Sequence, residues 1–410
     1  MTVSNERLTP GADEYTMETG TGERPVPDQE IEMSDGTRIL IAGGGVGGLT
    51  LAQALHHAGL DVTVFEQDPT PRTRNQGYRI HIDPDGNAAL GECVTPEVLD
   101  VLRRTSGRNG DLVTTFTTGL QRVFAQDFPG IPNSQLTAVD RNTFRQGLLT
   151  GLDEVVRFGR TVSDYRITDS GRVRVEFAEG GSDEGDLLVG ADGVGSAVRR
   201  QLLPDAVVDD FGLRCIYGRL PLTGTLSPEE FERGLCWVSG GSTCGAGFGT
   251  VRFRTRTAER TDYLMVTLIA TPQRLGVADD TLFHMSPEQL WKLSADIVAD
   301  WHPAIRDIYA RSDIGTFFPI TFRISDPVPA WEPGPITLLG DSIHAMPPTA
   351  GAGANTALAD AATLAREILS ATRGDKSLAD AVAAYQAVML PRGFDAVDKS
   401  RQMAAQMFAD

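Results

Sequence analysis

The run Gly43-Gly44-Gly45-Val46-Gly47-Gly48 spaces its glycines as G-x-G-x-x-G, and an acid, Glu66, stands 23 residues after Gly43. In such a run the first glycine permits a tight turn, the second lets backbone approach a pyrophosphate, and the third lets a helix pack closely on a strand. The free N–H groups and positive dipole end of the following helix favour phosphate. A carboxylate at Glu66 accepts hydrogen bonds from ribose hydroxyls and repels a 2′-phosphate. Gly43, Gly45, Val46, Gly47, Gly48 and Glu66 together therefore point to dinucleotide binding. They do not say which dinucleotide.

Two later segments carry further chemistry. In DLLVGADGVGSAVRR, from Asp186 to Arg200, a buried strand delivers Asp192-Gly193, followed by Ser196 and Arg199. In ITLLGDSIHAMPPTAGAGANTALAD, from Ile336 to Asp360, a strand ends at Gly340-Asp341 and a Pro-Pro pair stiffens the loop. A carboxylate at a strand end holds a polyol. Gly351 and Gly353, before Ala354 and Asn355, let a helix start press its N–H groups against a flat ring and favour negative charge there. Arg79 and His81 alternate with Ile80 and Ile82 on one strand, and are the candidates for proton handling in the cavity. His344 reads as a structural hydrogen-bonder. Arg252, Arg254 and Arg256 read as one solvent face of a strand. Trp237 and Phe248 flank a glycine-rich stretch, where they would stack on a flat substrate or fill the core.

The elements that position these residues follow from periodicity. Arg38 to Ala42 is an uninterrupted, β-branched run of the kind buried in parallel sheets, Leu49 to Ala58 an apolar helix, and Asp61 to Phe65 a second strand. Alternating strands over Leu213–Leu222, Thr250–Thr257 and Asp262–Thr271 predict an antiparallel sheet, with Gly240–Gly249 as a flexible hairpin or loop. A parallel-type strand at Ile336 to Gly340 precedes an Ala-rich helix from about Asn355. Ser377 to Phe408 predicts a further helix interrupted near Pro391. The fold class is α/β: a Rossmann-like dinucleotide-binding domain, an antiparallel-sheet substrate domain and a C-terminal helix. The expected boundaries are 1–36 for an acidic tail, 37–77, 97–203 and 328–375 for the nucleotide domain, 78–96 and 204–327 for the substrate domain, and 376–410 for the helical end. The tail carries nine acids against two arginines and no apolar periodicity, which predicts disorder.

The three motifs, in this order, resemble the single-component FAD-dependent monooxygenases, the aromatic-hydroxylase family that includes para-hydroxybenzoate hydroxylase and the tetracycline-inactivating hydroxylases. Val139 to Phe144 (VDRNTF) is similar to the family's Arg-x-x-Leu helix start, with Phe144 in place of Leu. Tyr385 to Arg392 (YQAVMLPR) is similar to its C-terminal Tyr…Pro-Arg pattern. The resemblance spans roughly residues 37 to 400. It implies non-covalent FAD, with Gly43, Gly45 and Gly48 at the pyrophosphate, Glu66 at the adenosine ribose, Arg141 on the flavin side, Asp341 at the ribityl chain and Gly351 to Asn355 along the pyrimidine edge. Asp192 belongs to a motif used for the FAD phosphates. It further implies NADPH or NADH as co-substrate, with O2, and transfer of oxygen from a C4a-hydroperoxyflavin to an electron-rich, aromatic or polycyclic small molecule, by hydroxylation or epoxidation, in natural-product tailoring.

Composition removes other classes. With 37 Lys+Arg against 55 Asp+Glu the formal charge is −18, which repels nucleic acid and anionic lipid. No run is long and apolar enough for a membrane helix, and the N-terminus lacks a signal-peptide stretch. Four scattered cysteines make neither a disulfide framework nor a zinc spacing, so the expected setting is the cytoplasm, without a protein-built metal site. Only Lys292, Lys376 and Lys399 are lysines, and none follows a glycine, so the Gly-Lys step of a P-loop is absent. The missing Trp-x-Trp pair and the absence of lysine before residue 292 argue against a flavin halogenase. A flavin-dependent prenyl or terpenoid reductase and a non-catalytic flavin binder stay as alternatives. Oligomeric state is not legible.

Overall fold

The computed structural model describes residues 36–72, 78–108, 110, 112–128 and 130–409. The acidic stretch before Gly36, including the expected disorder, lies outside them. A five-stranded parallel sheet runs in the order Ile336–Leu338, Leu187–Gly190, Arg38–Ala42, Asp61–Glu66, Val156–Phe158. Two of its central strands are apolar runs buried on both faces, as a parallel sheet demands: Ile39, Leu40, Ile41, Leu187, Leu188 and Val189 have no exposed surface. The helices Val46–His57 and Gly353–Thr372 pack against each other over it, with Pro84–Cys93 laid on the second of them. Three neighbouring strands of this sheet end at Ala42, Gly190 and Leu338. Their C-terminal ends deliver all three motifs to one edge of the sheet, where ligands bind in open α/β sheets.

A seven-stranded sheet forms the second layer, in the order Asp313–Ser325, Val208–Pro221, Tyr263–Ala270, Cys244–Val251, Gly234–Ser239, Leu112–Thr117, Arg122–Asp127. Its pairs are antiparallel except Gly234–Ser239 with Leu112–Thr117. One face buries Ile216, Val238, Phe248, Val266 and Leu268 with residues of the helices Pro287–Ile297 and Pro303–Ala310. A short antiparallel ribbon, Arg79–His81 with Ala138–Asp140, carries the chain beneath the other face. The α/β class, the antiparallel sheet and the C-terminal helix are those expected.

Four details differ from the sequence expectations. The strands Leu112–Thr117 and Arg122–Asp127, placed with the nucleotide part, join the seven-stranded sheet, because their partner Gly234–Ser239 lies over 100 residues away and no local pattern names it. Residues 78–96, placed with the substrate part, include the helix Pro84–Cys93 that packs on Gly353–Thr372. The glycine-rich stretch is the hairpin of the two alternatives, residues 240–243 turning between Gly234–Ser239 and Cys244–Val251, but its second half is a buried interior strand, and regular structure stops at Val251 rather than continuing to Thr257. Finally, Leu378–Met407 is one helix with Pro391 inside it, held from both sides of the proline by Tyr385 Oη donating to the Leu338 carbonyl at 2.9 Å and by Arg392 pairing with Asp360 at 2.9 Å.

Candidate active site

Gly43 turns the chain with φ +106°, and a Cβ there would lie 2.3 Å from the Ala191 carbonyl oxygen, so only glycine fits. Beside it a Cβ on Gly45 would meet nothing within 4 Å, and the helix Val46–His57 begins with no capping side chain. Its first-turn N–H groups therefore face open space and await an acceptor. Glu66, buried at its strand end, accepts from the Gly44 N–H and the Asp68 N–H, both at 2.8 Å. Arg145 sits over this turn, donating from Nε to the Gly44 carbonyl at 2.8 Å and lying 3.2 Å from Glu66. Sequence reading missed Arg145. Its signal was the spacing of four from Arg141, one turn along the helix Arg141–Leu148.

The second and third motifs are tied to each other. Asp192 Oδ2 caps a short helix through the Ala197 N–H at 2.8 Å, while its Oδ1 is buried without a partner among the described residues. Arg199, buried, donates to the Ser342 carbonyl at 2.8 Å, and Ser342 Oγ donates to the Gly190 carbonyl at 2.6 Å. Asp341 opens onto the crevice and is exposed there, with protein packed around its base. Burial raises its carboxyl above the usual range, opposed by the charges of His344 and Arg141. A Cβ on Gly353 would lie 3.8 Å from Asp341 Oδ1, at the start of Gly353–Thr372, which also has no capping side chain. Gly351 adopts φ +64° just before it. Arg141 lies over the Tyr78 ring at 5.5 Å. Asn355 is different: buried, it spends its side chain on the His81 and Gly351 carbonyls and the Asp83 N–H, at 3.0, 3.0 and 3.1 Å.

Behind this loop His344 Nε2 meets Asp360 Oδ2 at 2.6 Å with neither side chain exposed, and Asp360 also receives the Gly340 N–H at 3.1 Å. Burial pulls the imidazole down, but the Asp360 charge and hydrogen bond outweigh it, so His344 is raised above its ordinary value.

Arg79 and His81 lie where the ribbon passes between the helix start and the large sheet. A Cβ on Gly351 would lie 3.8 Å from the His81 Cβ, and one on Gly249 would lie 2.9 Å from the Arg79 Cδ. His81 Nδ1 bonds the Thr137 carbonyl at 2.9 Å; burial and the Arg79 charge lower its pKa. The sheet face here is apolar and aromatic. Tyr78 and Tyr217 stack at 5.0 Å, Tyr217 and Phe318 at 5.5 Å, and Trp237 meets Phe408 edge-on at 5.5 Å. Trp237 keeps an unpartnered, buried indole N–H on this face, whereas Phe248 points into the opposite core. Arg252 and Arg254 are half-buried and Arg256 is exposed, alternating with buried Val251 and Phe253, so they share the outer side of this segment while each has a partner. They bond respectively to Glu232, to the Gln135 carbonyl and to Asp262.

Two helix starts without caps, an unpartnered Asp192 oxygen and Asp341 thus surround one crevice. This donor and acceptor set fits an elongated dinucleotide, with phosphates at the first helix start and a polyol and flat ring at the second. The comparisons agree. An FAD binding domain model matches residues 297–400, and an NAD(P)-binding Rossmann-like domain model matches residues 41–89. The dual O-methyltransferase/FAD-dependent monooxygenase CTB3 of Cercospora beticola is 30% identical over 92% of this chain, but the chain spans only 47% of that protein. The phenazine 1,6-dicarboxylic acid hydroxylase PhzS of Lysobacter antibioticus is 30% identical, with 87% of each chain covered. A crystal structure from Photorhabdus luminescens subsp. laumondii, assigned as an FAD-containing monooxygenase, superposes with a TM-score of 0.78 at 27% identity, covering 90% of this chain and 98% of that one. The crevice and these relatives together place the chain in the single-component FAD-dependent monooxygenase family.

Proposed function

We propose that the protein uses NAD(P)H and O2 to hydroxylate or epoxidise a flat, electron-rich, aromatic or polycyclic small molecule, as a tailoring step on a natural product. The observation that carries this reading is a juxtaposition: the strand Arg79–His81 has the cofactor-type loop on one side, where a Cβ on Gly351 would lie 3.8 Å from the His81 Cβ, and the large sheet on the other, where a Cβ on Gly249 would lie 2.9 Å from the Arg79 Cδ. PhzS, named for a tricyclic aromatic acid, supports the substrate size. Bound FAD supplies the hydride acceptance and oxygen transfer; the residues supply orientation, charge and exclusion of water. Gly43, Gly45, Val46, Gly47 and Gly48 hold the pyrophosphate, with the Asp192 turn beside them. Glu66, oriented by Arg145, holds the adenosine ribose. Arg141, Gly340 and Asp341 hold the ribityl side. Gly351, Gly353 and Ala354 line the flavin ring, with Asn355 fixing that loop to the Arg79–His81 strand. The four cysteines, all free and buried, suit a reducing cytoplasm.

The test has two stages. The chromophore of the purified protein, released by denaturation, is expected to be FAD. Oxygen uptake with NADPH and with NADH is then measured against a panel of polycyclic phenols and carotenoid-like alkenes. Ligand-stimulated uptake with an oxygenated product supports the proposal. FAD reduction followed by saturation of an alkene, without oxygen incorporation, would establish the reductase instead, and FAD with no turnover of NAD(P)H a passive flavin binder.

A further inference from the structure

Several arginines drawn into this fold have partners within the chain; Arg199, buried, donates to the Ser342 and Val194 carbonyls. Arg145 faces Glu66 and Asp68, Arg214 faces Asp210 and Asp279, and Arg219 faces Asp140. Arg79 stands apart: its side chain makes no hydrogen bond or ion pair among the described residues, and its Nε is buried and unpartnered. The acid nearest by register does not serve it. Arg79 stands directly opposite Asp140 in the antiparallel ribbon, so the two side chains share a face. Asp140, however, already accepts from Arg219 at 2.8 Å, from the Tyr263 hydroxyl at 2.9 Å, and from the Thr143 N–H and hydroxyl at 3.0 and 2.9 Å. Burial lowers the Arg79 guanidinium to about 10, only partly offset by Tyr263, so it remains a cation at physiological pH. A half-buried cation without a counter-ion keeps its donors for a ligand, and its partner is to be sought there.

Its position says which ligand. The Arg79 Cδ lies against Gly249 on the sheet face that also presents Leu235, Met265 and Trp237, while His81, on the same side of the strand, touches the Gly351 loop. His81 commits Nδ1 to the Thr137 carbonyl, leaving Nε2 without a partner among the described residues.

We propose that Arg79 is a specificity-determining residue that binds an anionic oxygen, either a carboxylate or an ionised phenol or enol, on the flat substrate. His81 Nε2 stands beside it as a neutral acceptor for a substrate hydroxyl proton. The proposal rests on the reading of this cavity as the substrate pocket. A guanidinium there also favours substrates whose ring is made electron-rich by the same oxyanion that it binds.

The test uses the FAD-loaded, full-length protein and three probes on one ring system: the isosteric pair 2-naphthoate and 2-naphthamide, and 2-naphthol. Binding is read from the perturbation of the flavin absorption band and from Trp fluorescence, without turnover. An anion at Arg79 predicts tighter binding of naphthoate than of naphthamide by about 10- to 100-fold, and loss of that preference in Arg79→Met with partial retention in Arg79→Lys. If the ionised hydroxyl is the true ligand, naphthol binding rises with pH and exceeds naphthoate, and the rise disappears in Arg79→Met and is weakened in His81→Ala. Equal affinity for acid and amide, no binding of any probe at millimolar concentration, or displacement by 2′-AMP but not by naphthoate would each overturn the proposal, the last by assigning Arg79 to the nicotinamide cofactor's phosphate. A protein that retains FAD but shows no anion preference sinks this inference alone. One that binds no FAD sinks the functional reading, and Trp fluorescence still reports on Arg79.

Discussion

At the scale of single residues, the site works by leaving groups unsatisfied in the free protein. Asp341 is the clearest case, a carboxylate in the crevice whose pKa burial raises and the charges of His344 and Arg141 oppose. Hydrogen bonds donated to it by cofactor hydroxyls stabilise the ionised form, so FAD binding should release a proton. The sign follows: affinity is full above the raised pKa and falls as pH drops through it. Asp341→Ala is expected to weaken FAD binding by about 1.5–3 kcal/mol, and to remove most of that pH dependence. Titration of the apoprotein with FAD between acid and neutral pH checks both, and unchanged affinity would remove Asp341 from the site. Arg145 belongs to the same scale. Arg145→Met should loosen the Glu66 carboxylate and leave it buried with less compensation, at a cost of about 3–5 kcal/mol in stability, read by urea unfolding.

Among the elements, the strand Cys244–Val251 shows how composition misleads. Gly245, Gly247 and Gly249 recur with period two, so all three face the side that carries Trp237 and the Arg79–His81 ribbon. Each is glycine because something occupies the space of its side chain: the Trp237 ring 2.1 Å from a Cβ on Gly245, Thr267 Oγ1 2.7 Å from one on Gly247, and Arg79 Cδ 2.9 Å from one on Gly249. The strand is a floor cut away to make room. Gly245→Ala is expected to displace Trp237 and cost about 1–3 kcal/mol, seen as a lower Tm, together with loss of Trp fluorescence change on ligand binding. The alternation was visible in the residues, but glycine content outweighed it as a loop signal because the neighbours that need the space lie far along the chain.

Over the whole molecule, one buried cluster holds the third motif to the C-terminal helix. Asp360 joins His344, the Gly340 N–H and Arg392, so the loop carrying Asp341 cannot shift without breaking it. Asp360→Ala should destabilise by about 3–5 kcal/mol, because it leaves the buried His344 ring without its partner and the half-buried Arg392 guanidinium unpaired. The pH dependence has two limbs. His344 is raised, so its contribution is full below about 6.5 and is lost as pH rises through the folded value; Asp360 is lowered, mainly by His344 against the cost of burial, so its contribution is lost as pH falls toward the folded carboxylate value. Unfolding free energies across pH should show the alkaline limb flatten in His344→Asn. A limb that persists would assign it to another group.

What the residues determined alone was everything set by local geometry. A G-x-G-x-x-G turn needs Gly43 whatever surrounds it, because φ +106° is a property of that turn; a β-branched run buried on both faces is a parallel strand; and an acid at the end of the next strand falls beside the turn. Those features named the parallel sheet, the three motifs and the family. Tertiary structure decided what depends on partners distant in sequence: the joining of Leu112–Thr117 to Gly234–Ser239, the continuity of Leu378–Met407 through Pro391, the role of Arg145, and the division between Asn355, which spends its side chain on the strand, and Asp341, which does not. It also decided the state of Arg79. A sequence shows that a cation is present, but only the packed chain shows that Asp140 opposite has been claimed by three other residues.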